Sequence, residues 1–158
     1  MVGAPFNRIY MSEYWKKLDH IPDLDKKYHL GLSDILLLPL LSPTELWQPP
    51  GGYGSFLCTN DELVSELQQY FTNRIDVRYQ VILGGLPPHT DFTVRPWKYN
   101  YTYDLGGPDA VTRWHDGETV LDEVKRNPGW YYLNVHVEHS ITGVTSPRLS
   151  ITVREDLE

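Results

Sequence analysis

The sequence lacks the features that mark several large classes of protein. Cys58 is its only cysteine, so no internal disulfide can form, and we expect a reducing compartment. No run of basic residues occurs, and the formal net charge is -7. Because binding to a phosphate backbone depends on clustered Lys and Arg, we expect no nucleic-acid partner.

The sequence also has no long hydrophobic run. Its most apolar stretch, residues 35–41, is interrupted by Pro39 and is far shorter than the ~20 residues that a membrane-spanning helix needs. We predict a buried strand there instead. Residues 1–10 have neither the charged start nor the apolar run of a signal peptide, so we expect a cytoplasmic protein with no membrane partner.

A chain of 158 residues is long enough for one domain with its own core and too short for two ordinary ones. We divide this single domain into an N-terminal part, residues 1–75, and a core, residues 76–158. The clearest helix covers residues 61–72, with Thr59 or Asn60 as its cap and apolar residues on one face. Local patterns in the N-terminal part also predict a short helix over 12–18 capped by Ser12, a loop over 49–52 and a strand over 55–59.

The core is rich in β signals. Aromatic residues make up 13% of the chain, which suits strands and a lined pocket. Glycine and proline turns divide the region into eight short segments, at the spacing typical of an all-β sandwich or jelly roll. The predicted strands are residues 76–83, 88–92, 98–105, 110–115, 119–124, 130–135, 138–144 and 148–154.

Three residues in this region form a candidate metal site. In an extended segment, His89 and Asp91 point to the same face with their Cα atoms roughly 6.6 Å apart. His139 lies on the seventh predicted strand, which neighbours the second strand in a jelly roll. Two imidazoles and one carboxylate are the facial triad expected of non-haem Fe(II) oxygenases.

The core resembles the Fe(II)- and 2-oxoglutarate-dependent oxygenases of the double-stranded β-helix, or cupin-like, superfamily. The resemblance covers residues 76–158 and depends on His89-Thr90-Asp91, Glu138-His139-Ser140 and Pro147-Arg148-Leu149-Ser150 in this order. It is closest to small stand-alone prolyl and asparaginyl hydroxylase-like members of bacterial or phage type. It implies a mainly β, double-stranded β-helix fold with one or two N-terminal helices packed on the sheet.

The resemblance also implies a function. Fe(II) would be held by His89, Asp91 and His139, with 2-oxoglutarate as co-substrate and dioxygen as oxidant. The substrate would be a peptidyl or free amino acid, or another small metabolite, and would be hydroxylated. We expect a monomer or a homodimer.

Further residues are candidates for binding the co-substrate or the substrate. Arg148 offers a planar fork of donors for the far carboxylate of 2-oxoglutarate, and Ser150 shares its face of the strand. Either Asn100 or Tyr101 would contact the co-substrate, with Asn100 favoured. The candidates for substrate binding are Arg95, Arg113 and Trp114.

Simpler interpretations compete with the oxygenase. His115 and His136 are spare imidazoles, although His136 lies three residues before His139 and would face the other way. Arg154 is read as a solvated charge at a strand end. The same ligands could hold a metal in a non-redox metal- or ligand-binding cupin-like protein, or the chain could be a non-catalytic β-sandwich interaction module.

Overall fold

The computed structural model describes residues 12–41, 52–91, 93 and 95–155. Within these residues the protein is mainly β. Two short helices are present, α1 (Leu32–Ile35) and α2 (Asp61–Gln68), together with a 3-10 turn at Lys26–Tyr28. Neither helix is long and apolar enough to cross a membrane. The strands are β1 (Trp15–Lys17), β2 (Gly52–Leu57), β3 (Ile75–Leu83), β4 (Leu86–His89), β5 (Trp97–Asp104), β6 (Val111–Asp116), β7 (Thr119–Val124), β8 (Gly129–Asn134), β9 (His139–Thr142) and β10 (Arg148–Glu155).

The described strands form two antiparallel sheets. The larger sheet has the order β1-β8-β5-β10-β3-β2, and the smaller has the order β4-β9-β6-β7. The chain from β3 to β10 therefore crosses repeatedly from one sheet to the other, and the second and seventh strands of this series, β4 and β9, are neighbours. This strand order is that of a double-stranded β-helix, so the predicted fold class is confirmed.

All eight strands predicted for the core are present. Residues 119–124 form β7 with the predicted bounds, and most of the others differ by one or two residues at an end. The largest difference affects the second segment, which was predicted to include Asp91. Strand β4 ends at His89, and Asp91 lies just beyond it, where its amide donates to the carbonyl of Val135 at 3.0 Å.

Two predictions for the N-terminal part are wrong. Residues 35–41 form no buried strand, because Ile35 alone is buried while Leu37 is 84% exposed; the contact with β2 is a single bridge between Leu40 and Phe56. Residues 12–18 form no helix, because β1 pairs with the edge of β8. The hydroxyl of Ser12 accepts hydrogen bonds from the amides of Tyr14 and Trp15 in a turn that precedes β1.

The predicted helix and strand before the core are present. The side chain of Asn60 caps α2 by accepting from the amides of Glu62 and Leu63. The helix ends at Gln68, four residues before the predicted end. Strand β2 begins at Gly52, three residues before the strand that we predicted at 55–59. The predicted loop at 49–52 lies outside the described residues except for Gly52.

Alternation along the larger sheet separates an apolar layer from a polar interior. On β10, Leu149, Ile151 and Val153 pack in the main apolar cluster with residues of the N-terminal part and α2. Arg148, Ser150 and Thr152 alternate with them and are buried as well. The polar side chains therefore face the space between the two sheets, where a ligand site would lie.

Candidate metal centre

His89 and His139 meet across the pairing of β4 with β9. They are direct partners in the antiparallel register, and their ring centroids are 4.4 Å apart. Residues opposite each other on neighbouring strands share a face of the sheet. Here that face lines the interior, so the two imidazoles that lie 50 positions apart in the sequence reach one place.

The backbone fixes which nitrogen of each ring carries the proton. Nδ1 of His89 donates to the carbonyl of Pro87 at 2.8 Å, and Nδ1 of His139 donates to the carbonyl of Val137 at 2.7 Å. A carbonyl oxygen only accepts hydrogen bonds, so in the neutral rings each proton lies on Nδ1 and each Nε2 presents a lone pair.

Both Nε2 atoms lie beside one carboxylate. Nε2 of His89 and Nε2 of His139 each lie 3.6 Å from Oδ1 of Asp91. The three ligand atoms all lie within 4.8 Å of one another. Two atoms bound to one ion at about 2.1 Å can be at most about 4.2 Å apart, so either imidazole can share an ion with Asp91.

The electrostatics of the cluster keep Asp91 ionised. Burial lowers the pKa of His89, which makes a protonated ring unfavourable there. Burial alone would raise the pKa of Asp91, but Lys98, His139 and His89 outweigh it and hold that pKa well below its usual range. A carboxylate that stays ionised beside two imidazoles is a donor set that fits a divalent metal.

Two further cations lie beside the carboxylate. Nζ of Lys98 is 3.5 Å from Oδ2 of Asp91, and Nη2 of Arg154 is 3.8 Å from the same oxygen. We predicted a solvated strand-end charge for Arg154, but its side chain is only 26% exposed. Lys98 is more deeply buried, at 5% exposure, and it contributes to the wall of the site.

The triad opens on a cavity with about 440 Å³ of empty space. That figure includes open solvent, and the enclosed part of the cavity is only about 30 Å³. The wall is formed by the triad and by Tyr53, Gln80, Leu86, Lys98, Asn100, Thr112, Trp114, Arg126, Leu133, Asn134, Val135 and Ile141.

The two alternatives for the co-substrate contact on β5 lie on opposite faces. Asn100 is 2% exposed and lines the cavity. Tyr101 belongs to the apolar cluster on the other face, packs on Trp130 and places its hydroxyl 3.1 Å from Nε2 of His29. Tyr101 therefore does not reach the cavity, because alternation turns it toward the N-terminal part.

Arg148 and Ser150 are buried in the interior but are not part of the cavity wall. Burial lowers the pKa of Arg148 to about 10. Its Nε and Nη1 have no hydrogen-bond partner among the described residues. The hydroxyl of Ser150 lies 2.8 Å from that of Thr102, so this end of the interior has an unpaired guanidinium beside two hydroxyl groups.

The structure separates the three candidates for substrate binding. Trp114 is fully buried in the cavity wall, and its indole nitrogen donates to the carbonyl of Asn134 at 2.9 Å. Arg113 alternates with Trp114 on β6 and faces outward, where it donates to the hydroxyl of Thr142. Arg113 therefore lies away from the cavity. Arg95 follows the triad segment and is partly buried, without lining the cavity.

Two of the remaining histidines have other contacts. Nε2 of His136 lies 2.7 Å from the carbonyl of Thr93, and Nε2 of His115 lies 2.7 Å from the hydroxyl of Ser140. Among the described residues, His89, Asp91 and His139 form the only group of three or more His, Cys, Asp or Glu that could hold a metal.

Sequence reasoning assigned no role to two cations of the wall, Lys98 and Arg126. Because side chains alternate along a strand, Lys98 faces the opposite way from Trp97 and Tyr99 on β5. This alternation could have placed Lys98 in the interior once the inward face of β5 was known. Arg126 lies in a loop between two strands, and no periodic signal distinguishes it from a solvated charge.

No protein-family model matches this sequence, and no curated protein matches it significantly. Among solved structures, one of DMSP lyases is 13% identical, with a TM-score of 0.45, over 75% of this chain and 57% of that chain. Fe(II)-HppE with an alternative substrate is 12% identical, with a TM-score of 0.46, over 89% of this chain and 63% of that chain. Bacillus subtilis oxalate decarboxylase is 11% identical, with a TM-score of 0.42, over 77% of this chain and 29% of that chain. The chain thus spans less than two thirds of each of these proteins. Its own strand order establishes a cupin-like double-stranded β-helix, and His89, Asp91 and His139 give it a candidate metal site.

Proposed function

We propose that this protein is an Fe(II)- and 2-oxoglutarate-dependent dioxygenase that hydroxylates an amino acid, either free or within a peptide. The observation that carries the proposal is the convergence of the Nε2 atoms of His89 and His139 on the carboxylate of Asp91 at the wall of a cavity. Two buried guanidinium groups without a counterion among the described residues, those of Arg126 and Arg148, lie in the same interior. The combination suits a metal together with an anionic co-substrate.

The donor set favours iron that keeps open positions. Two imidazoles and one carboxylate on one side of the ion form the facial triad of non-haem Fe(II) oxygenases. When bound, the metal supplies the activation of dioxygen. In the overall reaction R–H, dioxygen and 2-oxoglutarate give R–OH, succinate and carbon dioxide, so one oxygen atom enters the substrate and the other enters succinate.

The protein's own residues bind and orient the reactants. The protons on Nδ1 of His89 and His139 are held by backbone carbonyls, which fixes both rings with Nε2 toward the ion. Arg148 supplies positive charge for the far carboxylate of 2-oxoglutarate, because its Nε and Nη1 have no partner among the described residues. The apolar wall residues Trp114, Leu133 and Ile141 exclude water.

Access to the triad is from the side of His89. Its side chain is 27% exposed, whereas that of His139 is 11% exposed. A substrate would therefore approach past His89. The co-substrate would extend from the ion into the buried interior toward Arg148.

An anaerobic titration with Fe(II) and 2-oxoglutarate tests the proposal directly. We expect a metal-to-ligand charge-transfer band in the wild-type protein, because 2-oxoglutarate would chelate the iron. His89→Ala should lose both the band and tight binding of the metal. Arg148→Ala should keep the metal and require at least tenfold more 2-oxoglutarate for the same band, since it loses charge-assisted hydrogen bonds worth roughly 1.5–3 kcal/mol.

His136→Ala is the matched control, because His136 lies near the site in the chain and contacts Thr93 instead of the triad. It should behave like the wild type. Metal binding without a band would reject the oxygenase and favour a non-redox metal-binding protein. Failure of the wild type to bind any divalent metal would leave a non-catalytic β-sandwich.

A further inference from the structure

Arg126 is a buried cation without a counterion among the described residues. It lies in the loop between β7 and β8 and is 4% exposed. Its Nη1 donates to the amide oxygen of Asn100 at 2.9 Å and to the hydroxyl of Thr102 at 3.4 Å. Both partners are neutral, and Nε of Arg126 has no hydrogen-bond partner in the described part of the chain.

Arg148 is a second buried cation without a counterion among the described residues. It is 1% exposed at the start of β10, and its Nε and Nη1 have no partner among residues 12–41, 52–91, 93 and 95–155. Burial lowers the pKa of Arg126, and the nearby charge of Arg148 lowers it further. Two neighbouring buried charges of the same sign are unfavourable unless an anion joins them.

The cavity wall has an excess of positive charge. Among the described lining residues, Lys98 and Arg126 are the Lys and Arg side chains, and Asp91 is the one carboxylate. Asp91 already pairs with Lys98. The charge of Arg126 therefore has no counterion among the described lining residues. A divalent metal at the triad would increase the excess of positive charge.

The geometry connects this excess to the metal centre. Arg126 and its partner Asn100 line the same cavity as His89, Asp91 and His139. A small acid bound at the triad would therefore share the cavity with Arg126. Thr112 adds a further unsatisfied polar group, because its buried hydroxyl lines the cavity without a partner among the described residues.

We propose that Arg126 binds one carboxylate of the acid that occupies this cavity, which makes Arg126 a specificity-determining residue for dicarboxylates. Its guanidinium presents a planar fork of donors that matches a carboxylate. The buried charge of Arg148 adds to the attraction for an anion, although Arg148 is not part of the cavity wall. The identity of the acid as 2-oxoglutarate rests on the proposed function, whereas the preference for a dicarboxylate does not.

Isothermal titration calorimetry of the Mn(II)-loaded protein, in the absence of dioxygen, tests this assignment. The probes are 2-oxoglutarate, succinate and glutarate, compared with pyruvate, which has the 2-oxo acid group but no second carboxylate. In Arg126→Met we expect the affinity for 2-oxoglutarate to fall at least tenfold and that for pyruvate to stay within twofold. Arg126→Lys should give an intermediate loss, because it keeps the charge but not the fork.

Lys125→Met is the matched control. Lys125 precedes Arg126 in the same loop, but its side chain is 61% exposed, and its Nζ lies 3.9 Å from Oδ1 of Asp109. This variant should keep the wild-type affinities and the wild-type preference for dicarboxylates. Circular dichroism would check the fold of each variant, and Arg126→Lys carries the test if Arg126→Met does not fold.

The outcomes separate this inference from the proposed function. If Arg126→Met keeps the wild-type ratio of 2-oxoglutarate to pyruvate affinity, the inference is rejected even where the charge-transfer band forms. If the wild type binds succinate or glutarate but not 2-oxoglutarate, and Arg126→Met loses that binding, the inference holds and the oxygenase is rejected. If the wild type binds no dicarboxylate, both are rejected.

Discussion

Nζ of Lys98 lies 3.5 Å from Oδ2 of Asp91 in the wall of the cavity. Lys98 is 5% exposed, so this ion pair is shielded from solvent. The same carboxylate is one of three candidate ligands for a metal. Lys98 therefore keeps Asp91 ionised in the ligand-free protein and repels a cation that binds there.

Replacing Lys98 should make the metal site bind more tightly. Lys98→Met keeps the length of the side chain and removes its charge, so a divalent ion would no longer be repelled from within a few ångströms. Unit charges about 4 Å apart interact by several kcal/mol even at an effective dielectric constant of 20. We expect the Kd for Mn(II), measured by equilibrium dialysis, to fall at least about tenfold.

The exposed Lys26 provides the control for this measurement, since Lys26→Met removes the same charge far from the cavity wall. It should leave the affinity for Mn(II) unchanged. Weaker binding in Lys98→Met would contradict the assignment and would indicate that Lys98 supports the position of Asp91 more than it repels the ion.

Asp91, one of the three candidate ligands, should be essential for metal binding. Asp91→Asn keeps the shape of the side chain and removes the negative charge that balances Lys98 and Arg154. We expect at least a hundredfold loss of affinity for Mn(II) by equilibrium dialysis, because the ion would then meet two uncompensated cations. Asp122→Asn, on the outer sheet edge at β7, is the matched control. An affinity within tenfold of the wild type in Asp91→Asn would remove Asp91 from the ligand set.

The eight core strands could be predicted because two local signals coincide. Alternation of side chains marks each strand, and glycine or proline turns mark each break. The meeting of His89 with His139 then follows from the strand order of a jelly roll, in which the second and seventh strands are neighbours. The position of the candidate site was therefore accessible from the sequence, although its charges were not.

The orientation of β5 could not be predicted, because both of its faces are buried. Tyr101 packs in the apolar cluster on one face, while Asn100 is buried in the interior on the other. Alternation divides such a strand into two faces but does not identify the inner one. The segment at 35–41 shows the opposite problem, because it is apolar in sequence and yet leaves Leu37 almost fully exposed.

Burial of His89 predicts a loss of stability in mild acid. Because burial lowers its pKa in the folded protein, the unfolded chain binds more protons as the pH falls through its ordinary pKa of about 6.5. The stability that the neutral ring contributes is present above that pH and is lost below it. In urea unfolding with a chelator present, we expect the wild type to lose more stability between pH 7.5 and pH 5.5 than His89→Gln does.

His29 should keep part of this pH dependence in the variant, because burial also lowers its pKa. Its ring stacks on Tyr103 with a centroid distance of 4.6 Å, far from the triad in the fold. The double variant His29→Gln/His89→Gln should therefore show the smallest change with pH. Equal pH dependence in the wild type and in both variants would reject the assignment of these two rings.

The support of β9, which carries His139, depends on a glycine just beyond its end. Gly143 has a φ of +79°, and a Cβ added there would meet the carbonyl of Asp109, with the carbonyl carbon at 2.8 Å. Gly117 has a φ of +61° in the turn between β6 and β7, and a Cβ added there would meet nothing within 4 Å.

Gly117→Ala should therefore cost only the backbone strain of a left-handed residue, about 1–2 kcal/mol. Gly143→Ala adds a clash with rigid backbone, and we expect its free energy of unfolding in urea to be at least about 2 kcal/mol lower than that of Gly117→Ala. Because the clash displaces the chain directly after β9, Gly143→Ala should also weaken Mn(II) binding under conditions in which it remains folded. Equal stability of the two variants would show that the backbone of Asp109 yields to the added methyl group.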